Sequence, residues 1–175
     1  MWLAKELEHW REFYLLVGTA GAALLALLFV AVSLGAGYLT NDKQAPTRTF
    51  MSPVVIHYTS VFFISAVALI PAHRAEFFAV MFGATAVIGA TVSSVITWRV
   101  FRSDMTSYME DRFAYGVLPA LAYLALLIAA IMTVTHQETA LDILAGALLL
   151  LTIVNIRNAW DLMLTMVRWH RDNRA

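Results

Sequence analysis

The sequence predicts an all-α integral membrane protein, a helical bundle of five transmembrane helices with a C-terminal amphipathic extension. Three observations predict it. Of the 175 residues, 61% are hydrophobic and 14% charged, whereas a soluble domain carries roughly 25% charged residues. The apolar residues gather into five segments, each bounded by charged, proline-containing or otherwise polar residues. Lys and Arg are also distributed unevenly between those segments, which is how a spanning chain encodes its orientation.

The first segment, 13–39, is uninterrupted and exceeds the roughly 20 residues that cross a hydrocarbon core, so it has length to tilt. Its lead-in, MWLAKELEHWREF, lacks the basic start of a cleavable signal peptide, and the segment is expected to stay in the mature protein. The second, 52–70, opens on Pro53, which suits a first helical turn, and closes at Pro71, which a helix interior would not accept. The third is 75–98. The fourth, 114–135, carries Pro119 near its start. The fifth, 140–160, is apolar only as far as Asn155, about 22 Å at 1.5 Å per residue. To span, it must carry the polar run NIRNAWD into or close to the interface. No repeat or linker divides the chain, so residues 1–175 read as one domain.

Placing the N-terminus outside puts three basic residues (Lys5, Arg11, Arg74) outside and nine inside, among them Arg99, Arg102, Arg112 and Arg157. Cytoplasmic loops are the Lys/Arg-rich ones. The expected setting is therefore multi-pass in a bacterial inner membrane, N-terminus out and C-terminus cytoplasmic, and five spans suit the charges better than an even number.

In the third span the small residues Ala79, Gly83, Ala86, Ala90, Ser93 and Thr97 recur every three or four positions and form one stripe. Such a stripe admits a close helix neighbour, since association in lipid relies on packing and polar contacts. The neighbour is expected within the chain, with packing between subunits as the alternative.

The polar run opening at Asn155 is the first candidate site. At 100° per residue from Asn155, the residues Arg157, Arg168, Asp161, Asp172, Thr165 and Asn158 fall between about 200° and 300°, a single polar stripe. Arg157 and Asp161, like Arg168 and Asp172, are four apart and able to pair, and Trp160 and Trp169 suit an interface. The plain reading is a helix that leaves the bilayer, snorkels Arg157 and continues as an amphipathic arm. The sharper reading adds His57, about one and a half turns inside the second span and on the same side. If those helices are neighbours, His57, Asn155, Arg157, Asn158 and Asp161 form a pocket for a substrate or ion, with one imidazole that titrates near physiological pH. Ionisable residues at depth are costly and seldom kept without a partner or a role.

The absence of cysteine excludes disulfides, thiolate nucleophiles and iron–sulfur ligation. The zero formal net charge and lack of a basic run leave no footprint for nucleic acid. No G-x-S-x-G, H-E-x-x-H or Walker A pattern occurs, so no catalytic activity is expected. No cofactor is expected either, because a bis-histidine haem site needs two histidines at depth and only His57 qualifies. His9, His73 and His136 gather at the outer side near carboxylates, without a pair at metal-ligand spacing. The expected partners are the lipid bilayer and either further copies of the chain or a larger membrane complex. The function expected is an oligomeric channel- or transporter-like subunit passing or sensing an ion or small solute. The alternative is a structural or assembly subunit without transport activity.

Overall fold

The computed structural model describes residues 2–35, 44–71, 74–102 and 113–172, and every regular element in them is helical. The elements are α1 (Trp2–His9), α2 (Arg11–Gly35), α3 (Gln44–Ala68), α4 (Ala75–Arg102), a single π-helical turn (Phe113–Val117), α5 (Leu118–Val134) and α6 (Ala140–Asp172). Four apolar stretches, 11–31, 75–98, 113–134 and 140–164, are long enough to cross a membrane, and α3 carries a shorter one, Pro53–Ala68. The chain is an all-α, multi-pass membrane bundle.

α2 and α3 run antiparallel, as do α4 and α5. Gly18 faces Ser65 and Gly21 faces Val61, so rising numbers on α2 meet falling numbers on α3; Gly89 meets Tyr123 and Thr97 meets Gly116 in the same way between α4 and the α5 region. One end of the bundle therefore holds Trp10, Pro71 and His136, and the other holds Trp98 and the π turn. Between these ends the core is made of Tyr14, Ile64, Phe78, Phe82, Tyr123, Leu126, Leu144 and Leu148. Leu16, Leu27, Val80, Ile88, Ile131 and Ile153 are exposed. Large apolar side chains covering the outside are what lipid, rather than water, allows. The acidic lead-in is drawn in by Leu3 and Leu7, one turn apart and both buried, while Lys5, Glu8 and His9 stay exposed.

Two helices depart from the boundaries that the apolar segments suggest. α3 begins at Gln44, so Pro53 lies inside it rather than in its first turn. A proline there removes one backbone donor, which costs a helix interior a hydrogen bond but does not end it when neighbouring helices hold the segment. Past Ala68 the chain closes with the tighter bonds Leu69 N to Ala66 O and Ile70 N to Val67 O, just before Pro71. α6 is one unbroken helix of 33 residues, about 50 Å long, so its C-terminal part extends well beyond a hydrocarbon core of about 30 Å. The side chains of Thr165, Arg168, Trp169 and Asp172 lie outside those described.

α4 packs most extensively on α5. Gly83 lies near Ala130 of α5 and Thr97 near Gly116 of the π turn; in the same stripe Ala86 and Ser93 are buried, and Ala79, Gly83, Ala90 and Thr97 half-buried. A Cβ at Gly83 would lie 3.9 Å from the Ala130 methyl, an ordinary contact, whereas Val87 is 54% exposed. Gly83→Ala should thus be accepted, and Gly83→Leu should lose roughly 1–3 kcal/mol by overpacking. Val87→Leu should stay within about 0.5 kcal/mol. Thermal unfolding in detergent checks this, and equal losses for the two leucines would contradict the packing.

Candidate functional site

With α3 starting at Gln44 and ending at Ala68, His57 lies near its middle, about 20 Å from one end and 16 Å from the other at 1.5 Å per residue. The imidazole is 1% exposed. Its Nδ1 lies 2.9 Å from the Tyr123 hydroxyl of α5, the two ring centroids being 5.5 Å apart. The Tyr123 hydroxyl donates to Ser60 Oγ at 3.0 Å, and Ser60 donates to the Ile56 carbonyl at 2.9 Å. Tyr123 can sit here because Gly89 of α4 has no side chain: a Cβ at that position would overlap the phenol ring.

The order of donors fixes the imidazole. A hydroxyl has one proton, and a carbonyl only accepts. Ser60 gives its proton to Ile56 O, so it must accept from Tyr123; Tyr123 has then given its own and must accept from His57. With the hydroxyls in that order His57 donates from Nδ1. Nε2 is buried and has no hydrogen-bond partner among the described residues.

Asn155 of α6 joins the same layer, for its Nδ2 donates at 2.8 Å to the carbonyl of Val54, one turn before His57. Asn158 lies one turn further along α6, on the same side. Its Nδ2 donates at 3.0 Å to the Ala114 carbonyl in the π turn. In a π turn that carbonyl addresses the amide five residues on, which is Pro119 and has no N–H. The asparagine supplies the missing donor. Both asparagines keep an Oδ1 that is buried and unpartnered. Tyr115 Oη lies 2.9 Å from the Asn158 carbonyl and 3.1 Å from Asp161 Oδ2, and its single proton serves one of them at a time.

Of the residues singled out in the sequence, His57 and Asn155 therefore share one layer, and Asn158 and Asp161 meet at the π turn. Arg157 is exposed on the other side of α6, while Asp161 is half-buried. No hydrogen bond joins His57 to Asp161, since Nδ1 is held by Tyr123 and Nε2 is unpartnered. Sequence reasoning did not find Tyr123, Ser60, Gly89 or Tyr115. Tyr123 had a signal, being the one phenol in LPALAYLALLIAA, where a hydroxyl among alanines and leucines requires a partner. Other buried hydroxyls without partners are those of Tyr14, Tyr58, Ser65 and Ser93.

His9 and His136 are exposed, and the described residues hold no group of three or more His, Asp or Glu side chains placed to hold a metal. His73 lies outside the described residues. Compared with protein-family models, curated proteins and solved structures, the chain matches none.

Proposed function

We propose that this multi-pass membrane protein passes or senses an ion or small solute at the His57 layer and acts as an oligomer rather than as an enzyme. The observation that carries this reading is the buried imidazole at the middle of α3 with Nε2 unpartnered. A polar atom held away from water without a partner costs free energy in lipid, where nothing else can satisfy it. Such an atom is better kept for a ligand than for the fold. Five helices enclose little room for a path, which favours several copies. The three-to-nine Lys/Arg split supports an inner-membrane setting with the N-terminus outside and the C-terminus cytoplasmic.

The second reading, a structural or assembly subunit, is favoured by Asn155 and Asn158, whose amide donors are committed to backbone carbonyls of neighbouring elements. Proteoliposomes containing the purified protein alone separate the two. Transport predicts flux of protons, ammonium or alkali cations above that of protein-free vesicles, reduced at least tenfold by His57→Leu in a bundle that still unfolds cooperatively. Flux equal to the protein-free control for every one of these leaves the assembly reading.

A further inference from the structure

We infer that the species taken up at the His57 layer is a proton, bound reversibly at Nε2, with Tyr123 and Ser60 acting as positioning residues that hold the imidazole in the Nδ1–H form. This rests on the reading of His57 as the centre of the site and names what the site accepts.

Geometry selects the proton over larger solutes. Val54, His57, Tyr58 and Tyr123 are each at most 1% exposed, so the layer is closed by packed side chains. A proton delivered by water needs only a small hydrogen-bonded gap. Any larger solute needs the helices to part. The hydrogen-bond order leaves Nε2, and not Nδ1, as the open base.

The surroundings leave the charge to His57 alone. On α3 its titratable neighbour is Tyr58, and on α5 it is Tyr123. The stretches 13–35 of α2 and 77–98 of α4 contain no Asp, Glu, Lys, Arg or His, and the one phenol there is Tyr14, towards the Trp10 end. α6 offers Asp142 at the Trp10 end and Arg157 and Asp161 at the Trp98 end, the latter beside Tyr115 of the π turn. Buried hydroxyls without partners lie next to His57 and towards the Trp10 end. Ser65 is two turns away towards the Trp10 end, against Gly18, which itself is one turn from Tyr14; Tyr58 is adjacent in sequence. These polar atoms can hold water between the imidazole and the Trp10 end.

In the step itself, an O–H bond of a hydronium ion breaks and an N–H bond forms at Nε2, leaving water and an imidazolium that still donates from Nδ1 to Tyr123. The Tyr123–Ser60 chain ends on the Ile56 carbonyl, which passes no proton onward. The proton therefore leaves from Nε2 to water, and the relay fixes the tautomer without conducting.

Nitrogen NMR of ring-labelled histidine in the full chain in proteoliposomes tests this, with the His57 signal identified by its loss in His57→Gln. The wild type should show the Nδ1–H neutral form at high pH and convert to imidazolium on acidification. Tyr123→Phe keeps the ring against Gly89 but removes the acceptor, and it should turn the single neutral tautomer into a mixture; Ser60→Ala should do so in part. A His57 that stays neutral at every pH at which the bundle remains folded overturns the inference, as does a wild-type Nε2–H tautomer. Solute flux with a permanently neutral His57 would sink the proton while leaving transport. A titrating His57 in vesicles without flux would sustain the proton site and sink transport.

Discussion

Gly89→Leu should be the most damaging single substitution in the bundle. Even a Cβ at this position would overlap the Tyr123 ring, and the ring is fully buried between helices with no open side to move into. Overpacking of this kind costs about 3 kcal/mol or more when backbone must move. Gly89→Ala should lose less but remain clearly destabilised, although alanine is the better helix former by about 1 kcal/mol. A cycle with Tyr123→Leu identifies the cause, because a smaller partner should absorb part of the Gly89→Ala loss. Thermal unfolding in detergent reads all four proteins. A Gly89→Ala loss that is the same in both backgrounds would mean that the glycine serves something other than the tyrosine.

Asn158→Leu should be the next most costly, at about 1–3 kcal/mol, since it leaves the Ala114 carbonyl buried without its side-chain donor. Pro119→Ala restores an amide at the position that this carbonyl addresses, so in the double variant most of the loss should be recovered. Ile156→Leu is the control, because Ile156 is exposed two residues away on the same helix and should change stability by less than about 0.5 kcal/mol. If Pro119→Ala brings no recovery, the asparagine is not standing in for the proline's missing N–H.

The bundle was legible in the sequence because length and hydrophobicity alone decide which segments can cross a bilayer. The start of α3 was not. QAPTRTFMSP is polar and contains two prolines, Pro46 and Pro53, so it reads as a loop, yet Gln44 to Ala68 forms one helix. Asn155 and Asp161 were visible as polar residues out of place, and the helical wheel held the information that divides them. Asn155 and Asn158 are about 60° apart while Arg157 is about 200° from Asn155, and the fold turns the first two inward and the third outward. The partner of His57 was beyond that reasoning. Tyr123 is 66 residues away, and no periodicity within one helix tells which other helix lies beside it. The tautomer of His57, and with it the open Nε2, exists only once α3 and α5 are packed together.

Thiol accessibility tests most directly whether the His57 layer communicates with water. The native chain has no cysteine, so His57→Cys carries a single thiol, and Ile88→Cys places another in the lipid-facing wall of α4, where residue 88 is 62% exposed. A thiol exchanges its proton for deuterium only where water reaches it, and the exchange needs no solute larger than water. On transfer of folded proteoliposomes to heavy water, the S–H infrared stretch of position 57 should be replaced by S–D while that of position 88 persists. An S–H stretch at position 57 as persistent as that at position 88, in a bundle that still unfolds cooperatively, would show a dry layer and contradict a site that water and protons can reach.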